Sequence, residues 1–299
     1  VKTVFVRSLG ILIVFTLGLA GCSSSVSANS AGSKKLHILD GNILLSNDDG
    51  WRGPGLVALQ NVLVADGYKV VVIAPENNES GSSVSLTTTG DLKVTQPSAD
   101  KNIYAVDGTP ADSMMVGLTG ILSSPPSLVI SGINPGYNVG DDLNYSGTVG
   151  AAVVGTLYGV PSIAVSASTP AVGTDATKEY HSVATFIVSL LRKLNGAPTS
   201  AWPKRTVLNI NYPYADSGTV PSGVKLTTVA NQRALKAEYQ KSADGSYSLT
   251  YVPDGTAAAG TDIATVDSGY ISVSAFSADR GDAAPNTNKI ASLINSITP

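Results

Sequence analysis

The sequence predicts an α/β fold: a doubly wound, three-layer α/β/α core with an antiparallel hairpin region appended on its C-terminal side. Three observations predict it. Short Val-, Ile- and Leu-rich runs recur along the chain, as strands buried on both faces require. Stretches with apolar residues at helical spacing lie between them, and strands alternating with helices build a parallel sheet covered on both sides. After Tyr212-Pro213 the pattern changes to polar alternation, the mark of strands with one solvated face.

In chain order, the buried strands fall at 42–45, 69–74, 128–131, 162–166 and 206–210. The clearest helix covers 54–66, where Leu56, Leu59 and Leu63 recur on one side and Gly67 supplies a C-cap. A second, 147–158, is rich in alanine and glycine, which lets a helix lie close on a sheet, and Gly159-Val160-Pro161 ends it. A third, 179–194, gathers Ile187, Leu190, Leu191 and Leu194. Antiparallel candidates follow at 225–229, 246–252 and 270–275.

Ahead of this domain stand Lys2 and Arg7, an apolar stretch from Leu9 to Ala20, and Leu19-Ala20-Gly21-Cys22. A basic start, a short apolar region and small residues before a cleavage point define a secretory signal; a spanning helix needs about 20 apolar residues. Leu-Ala-Gly-Cys resembles a bacterial lipobox, which implies that Cys22 is acylated after removal of residues 1–21. The remaining alternatives for this lone cysteine are a stray thiol or half of an intermolecular bridge. Residues 22–36, small and polar at first, form a flexible tether, and 37–299 form one domain. The expected location is outside the cytoplasm, lipid-anchored to a bacterial membrane on its periplasmic or cell-surface side.

With a single cysteine no disulfide forms within the chain, so stability rests on a packed core. Removing Lys2 and Arg7 lowers the basic residues from 19 to 17 against 22 acidic ones, a change in formal charge from −3 to −5. Without a dense basic run, nucleic-acid duplexes are not expected partners. Two histidines, His37 and His181, are too few for zinc-site or phosphohistidine chemistry and read as surface residues.

The stretch Asn42 to Gly50 ends an apolar run in two adjacent carboxylates, Asp48 and Asp49. In open α/β sheets ligands bind just beyond the carboxyl ends of strands, and a hard divalent cation relieves the repulsion of such a pair. The competing reading makes one of them the cap of the following helix and the other a solvated turn residue. Three further loops follow apolar runs: 74–82 with Glu79-Ser80-Gly81, 131–142 with Asn134-Pro135-Gly136-Tyr137-Asn138, and 145–150 with Ser146-Gly147-Thr148. Backbone N–H groups at a helix N-terminus form an anion site, so Gly136, Asn138, Ser146, Gly147 and Thr148 are candidate phosphate binders. Ser146 and Thr148 equally suit simple capping, Ser80 an ordinary turn, and Asn134 a turn before proline.

In order and at similar spacing, these four segments resemble the SurE family, metal-dependent phosphatases acting on nucleoside monophosphates. The likeness runs from about Asn42 through Gly260-Thr261-Asp262 and Gly269-Tyr270-Ile271-Ser272-Val273. It implies a Rossmann-like core over about 42–212, a C-terminal extension over about 213–299, and a homodimer or homotetramer in which the extension embraces a neighbour. By match to the family's motif, the metal ligands are Asp48, Asp49, Ser80 and Asn134. This all-oxygen set suits magnesium, manganese or calcium. The implied reaction is hydrolysis of nucleoside 5′/3′-monophosphates or other small phosphomonoesters, with Asp48 or Asp49 orienting or deprotonating the attacking water. Direct attack by a carboxylate belongs with Asp-x-Asp patterns, which this Asp-Asp-Gly is not.

The chain departs from the family pattern at Asn77-Asn78-Glu79, where relatives often carry arginines; an acidic Glu79 weakens anion attraction and bears on polyphosphate. Pro135 replaces a more usual alanine and stiffens the loop. The alternative function is a non-catalytic lipoprotein that binds metal or nucleotide. A serine hydrolase is disfavoured because no Gly-x-Ser-x-Gly elbow is present.

Overall fold

In a computed structural model of the chain, the described residues are 34–169, 175–214, 220–279 and 294–295; Cys22 and the expected signal segment lie outside them. The elements are β1 (Asn42–Ser46), α1 (Pro54–Ala65), β2 (Lys69–Pro75), β3 (Val94–Thr95), β4 (Ile103–Val106), α2 (Pro110–Val116), β5 (Leu128–Pro135), α3 (Gly147–Leu157), β6 (Ser162–Ala167), α4 (Thr177–Leu194), β7 (Thr206–Tyr212), β8 (Val224–Thr227), β9 (Leu235–Lys241), β10 (Tyr247–Pro253), α5 (Asp262–Asp267) and β11 (Ile271–Ser277). The main sheet has the order β3-β4-β2-β1-β5-β6-β7-β11-β8. Its centre, β4 to β7, is parallel; β3 and β11 run antiparallel to their neighbours β4 and β7.

Successive side chains of a strand point to opposite faces, and the sequence loads both. Ile43 and Leu45 of β1, Val70 and Val72 of β2, and Leu128 and Ile130 of β5 join Leu56, Leu59 and Leu63 of α1 and the apolar side of α4 in one core. Leu44, Val71, Ile73 and Val129 face the other way, against Met114 of α2 and Ala151 and Val154 of α3. The three layers follow from this alternation.

The C-terminal region is only partly an appended hairpin. β9 and β10 do form a separate antiparallel pair. β11 instead adds to the main sheet, and β8, expected as antiparallel, pairs in parallel with it. The chain between them carries the hairpin and α5, long enough for the crossover that a parallel pair needs. β4 had no clear signal, its four residues being too few to show a period. The chain is already docked before β1: Leu36 is buried and its N–H reaches Ala197 O at 2.8 Å. No described helix is long and apolar enough to cross a membrane.

Candidate functional site

The β1–α1 turn is fixed by its own backbone. Asn47 Nδ2 donates to Gly50 O at 3.0 Å, Gly53 N to the same carbonyl at 2.8 Å, and Gly50 takes φ 92°, a conformation glycine adopts freely. α1 opens at Gly53 with no side-chain cap and with Pro54 in its first turn. Neither Asp48 nor Asp49 therefore caps α1, and both carboxylates remain available beyond the end of β1.

Asp48 is 4% exposed. The Thr148 hydroxyl donates to its Oδ1, and the Gly147 and Thr148 N–H groups at the start of α3 also favour its charge. The anion site expected at this helix end is thus directed at Asp48 itself. Burial still dominates and raises the Asp48 pKa. Burial, then the neighbouring Asp48 charge, pushes Asp49 up to about 7. Ser146 caps α3, accepting Val149 N at 3.1 Å.

The loop after β2 closes over this pair. Glu79 N donates to Asp48 O at 2.7 Å, and Asn78 Nδ2 lies 3.5 Å from Asp49 Oδ1. Ser80 is exposed, its N–H held by Asn78 Oδ1 at 3.0 Å. Ser82, which nothing in the sequence sets apart from its neighbouring serines, has a buried hydroxyl with no hydrogen-bond partner among the described residues. A Cβ on Gly147 would stand 2.8 Å from both Ser82 Oγ and Asp48 Cβ, so only glycine lets α3, Ser82 and Asp48 converge.

Asn134 is the last residue but one of β5, the strand beside β1, with Ser46 opposite Ser131 in register. Its Nδ2 donates to Gly136 O at 2.8 Å, which leaves Oδ1 unbonded among the described residues. Gly136 and Asn138 begin the next loop, and no described hydrogen bond ties them to Asp48 or Asp49. Asn138 serves as that loop's fastening: its Nδ2 donates to Ser166 Oγ, its N–H to Asn211 Oδ1, and its carbonyl accepts from Asn209 and Asn211, all at 2.8–2.9 Å. Asp262 secures the far end, accepting from Gly140, Ala230 and Ile263 N–H groups at 2.9 Å each. The two asparagines of β7 had a signal in sequence, polar residues at period two inside an apolar strand. Glu179, 4% exposed and accepting from Ser168 Oγ at 2.8 Å, had none beyond its place at a helix start.

The donor set fits a hard cation. Among the described residues no three His, Cys, Asp or Glu side chains gather at one point, so a cation would rest on two carboxylates and neutral oxygens. The adjacent carboxylates, Asp48 buried and Asp49 half-buried, and the orphaned Ser82 hydroxyl provide that chemistry. A groove of about 510 Å³ lined by His181, Tyr212 and Tyr214 opens at the carboxyl end of β7, on the same edge of the sheet.

Residues 43–236 match the family model described as survival protein SurE. The chain is 34% identical over 248 residues to a 5′-nucleotidase SurE of Caldanaerobacter subterraneus, covering 81% of this chain and 93% of the relative. It is 38% identical over 244 residues to a 5′-nucleotidase SurE of Actinobacillus succinogenes, covering 80% and 93%. A crystal structure of a SurE protein from Aquifex aeolicus superposes with TM-score 0.67 at 36% identity, over 80% of this chain and 94% of that one.

Proposed function

The chain belongs to the SurE family and is a phosphoric monoester hydrolase, and from that premise we propose that it releases phosphate from nucleoside 5′/3′-monophosphates with a divalent cation, outside the cytoplasm, anchored to a bacterial membrane through acylated Cys22. The observation that carries the reaction is the buried Asp48, with the half-buried Asp49 beside it, converging with Ser82 and the N-terminus of α3.

Asp48, Asp49, Ser80 and Asn134 would hold the cation, magnesium or manganese by donor type, with Ser82 beside them. When bound, it supplies polarisation of the phosphoryl oxygen and a lowered pKa for water. The remaining work belongs to the chain. Thr148 and the α3 amides keep Asp48 in one orientation. Asp49, less buried and with one long contact from Asn78, has an oxygen free to orient the attacking water and take its proton. The loop that opens at Gly136 is the proposed seat of the phosphate, while the α3 amides, already directed at Asp48, act on it only through that carboxylate. Asn138 braces that loop. The asparagines at 77 and 78 give fewer cations around the phosphate than arginines would, which favours monophosphates over polyphosphate.

Oligomerisation through the hairpin is supported by its exposed apolar side. Tyr247, Leu249 and Tyr251 alternate along β10, with Tyr239 opposite Leu249, and all four are more than 40% exposed. Light scattering of the intact chain and of a Tyr239→Ser/Leu249→Ser variant measures it, with a fall in mass expected.

The deciding experiment is phosphate release from a panel of nucleoside 5′- and 3′-monophosphates by residues 23–299, after EDTA and after added magnesium or manganese. Metal-restored turnover that disappears in Asp48→Asn is expected. Tight nucleotide binding without turnover in the unaltered chain would favour the non-catalytic lipoprotein. Labelled fatty acid fed to cells should tag the wild-type chain and not Cys22→Ala.

A further inference from the structure

The parallel strands begin on the edge of the sheet opposite the carboxylates, about 20 Å away by the ~3.3 Å rise of each strand residue. Ser127 before β5, Pro161 before β6 and Arg205 before β7 line a groove of about 1020 Å³ there. Its walls include Leu36, Val160 and Trp202, and its rim includes Lys35, Lys204 and Arg205. Leu39, Leu157 and Tyr158 add side chains 46%, 42% and 47% exposed near the same edge.

Charge on this edge runs against the rest of the molecule. Although the chain is net acidic, Lys34, Lys35, Lys69, Lys193 and Lys204 are exposed here with no carboxylate in ion-pair distance among the described residues. The acids nearby are engaged: Asp40 with His37, Asp66 with Arg192, Asp279 with Arg205, and Asp100 with the Asn102 N–H of its own turn. Arg205 is held at φ 55°, a conformation in which a glycine would be unstrained.

We propose that this edge docks on anionic phospholipid headgroups, its cations on the phosphates and its apolar residues at the boundary with the acyl chains. The path of the chain selects a membrane as the occupant. Lys34, the first described residue, lies on this edge, where Lys34 O accepts from Thr199 N at 2.7 Å. Eleven residues, Ser23 to Ser33, separate it from Cys22, so the covalent chain spans at most about 40 Å between them. The anchor, which rests on the functional reading above, sets the distance to the bilayer; the basic edge sets the orientation. The carboxylates then face away from a surface that would repel nucleotide phosphates.

The test uses residues 23–299, which lack both Cys22 and the apolar leader, and whose part from Ser33 onward is a compact unit by itself. Sedimentation with vesicles of phosphatidylcholine alone, and of phosphatidylcholine with phosphatidylglycerol, should give binding only to the anionic mixture, weakened by salt. Lys34→Glu, Lys35→Glu, Lys204→Glu and Arg205→Glu should each lower partition, by about fivefold per cation neutralised and more on reversal, with phosphate release unchanged. Lys93→Glu and Lys241→Glu should leave partition unchanged. No binding to anionic vesicles, equal binding to neutral ones, or indifference to the four reversals would overturn the proposal. Failure of the anchor would show instead as a wild-type chain that takes up no labelled fatty acid in cells, and failure of the hydrolase reading as absent turnover in a chain whose partition is still measurable.

Discussion

Ile130 and Ser131 are neighbours in β5 and both are fully buried, yet they face different tasks. Ile130 points into the layer of α1 and α4, which is apolar from β2 across to β7. Ser131 points toward α3, where the carboxyl ends of the strands carry Ser46, Ser166, Asn209 and Asn211 in place of aliphatic residues. The first face holds the sheet together. The second gives up packing energy to fasten loops and present polar atoms, several of which, Ser46 and Ser131 among them, have no hydrogen-bond partner among the described residues. One sheet can therefore carry both stability and chemistry, because alternation lets adjacent residues serve opposite layers.

Substitutions on the two faces should separate stability from turnover. The largest loss is expected from Ile130→Ala, about 3–4 kcal/mol in urea unfolding with kcat of the folded fraction preserved, since a large cavity opens in the apolar layer. Gly147→Ala should do the reverse. Its methyl would press on Asp48 and Ser82, lowering turnover on the order of 100-fold, as a displacement near 1 Å can, with a smaller change in stability.

A pH measurement sharpens the contrast on the polar face. Asp49 is pushed from 3.8 up to about 7 in the folded chain. Between those values the folded protein keeps a proton that the unfolded chain releases, so without metal its stability falls as pH rises through that window. Asp49→Asn should flatten the slope to the part contributed by Asp48, whose pKa is also raised, and gain up to ~2 kcal/mol at pH 8 in EDTA, after allowance for partial solvent screening. Thermal melts at pH 5 and pH 8 check it, and a wild-type slope equal to the variant's would refute it. The smallest effect is expected from Ser131→Ala, within ~1 kcal/mol of wild type in the same unfolding assay, because its hydroxyl has no bond to lose. A loss as large as that of Ile130→Ala would erase the distinction between the faces.

The parallel core was legible because its strands are apolar on both sides and its helices carry regular spacing, as in the run of Leu56, Leu59 and Leu63. β4 and the parallel pairing of β8 were not: a four-residue strand shows no period, and strand direction depends on where the chain returns. The ordered motifs around Asp48, Asp49, Ser80, Asn134 and Ser146–Thr148 were readable, whereas the parts assigned to Ser82, Thr148 and Asn138 emerged from geometry. Thr148 spends its hydroxyl on Asp48, and Asn138 spends its amide on Ser166.

By itself, the sequence determined the periodicities, the polar loops that follow the strands and the family motifs, because each is written in neighbouring residues. Only the tertiary structure decided which of those loops meet. Residues as far apart as Asp48 and Thr148, or Asn138 and Asn211, are joined by the order of strands in the sheet. That order follows from burying both faces of the sheet at once, a condition imposed on the whole chain and visible in no single segment of it.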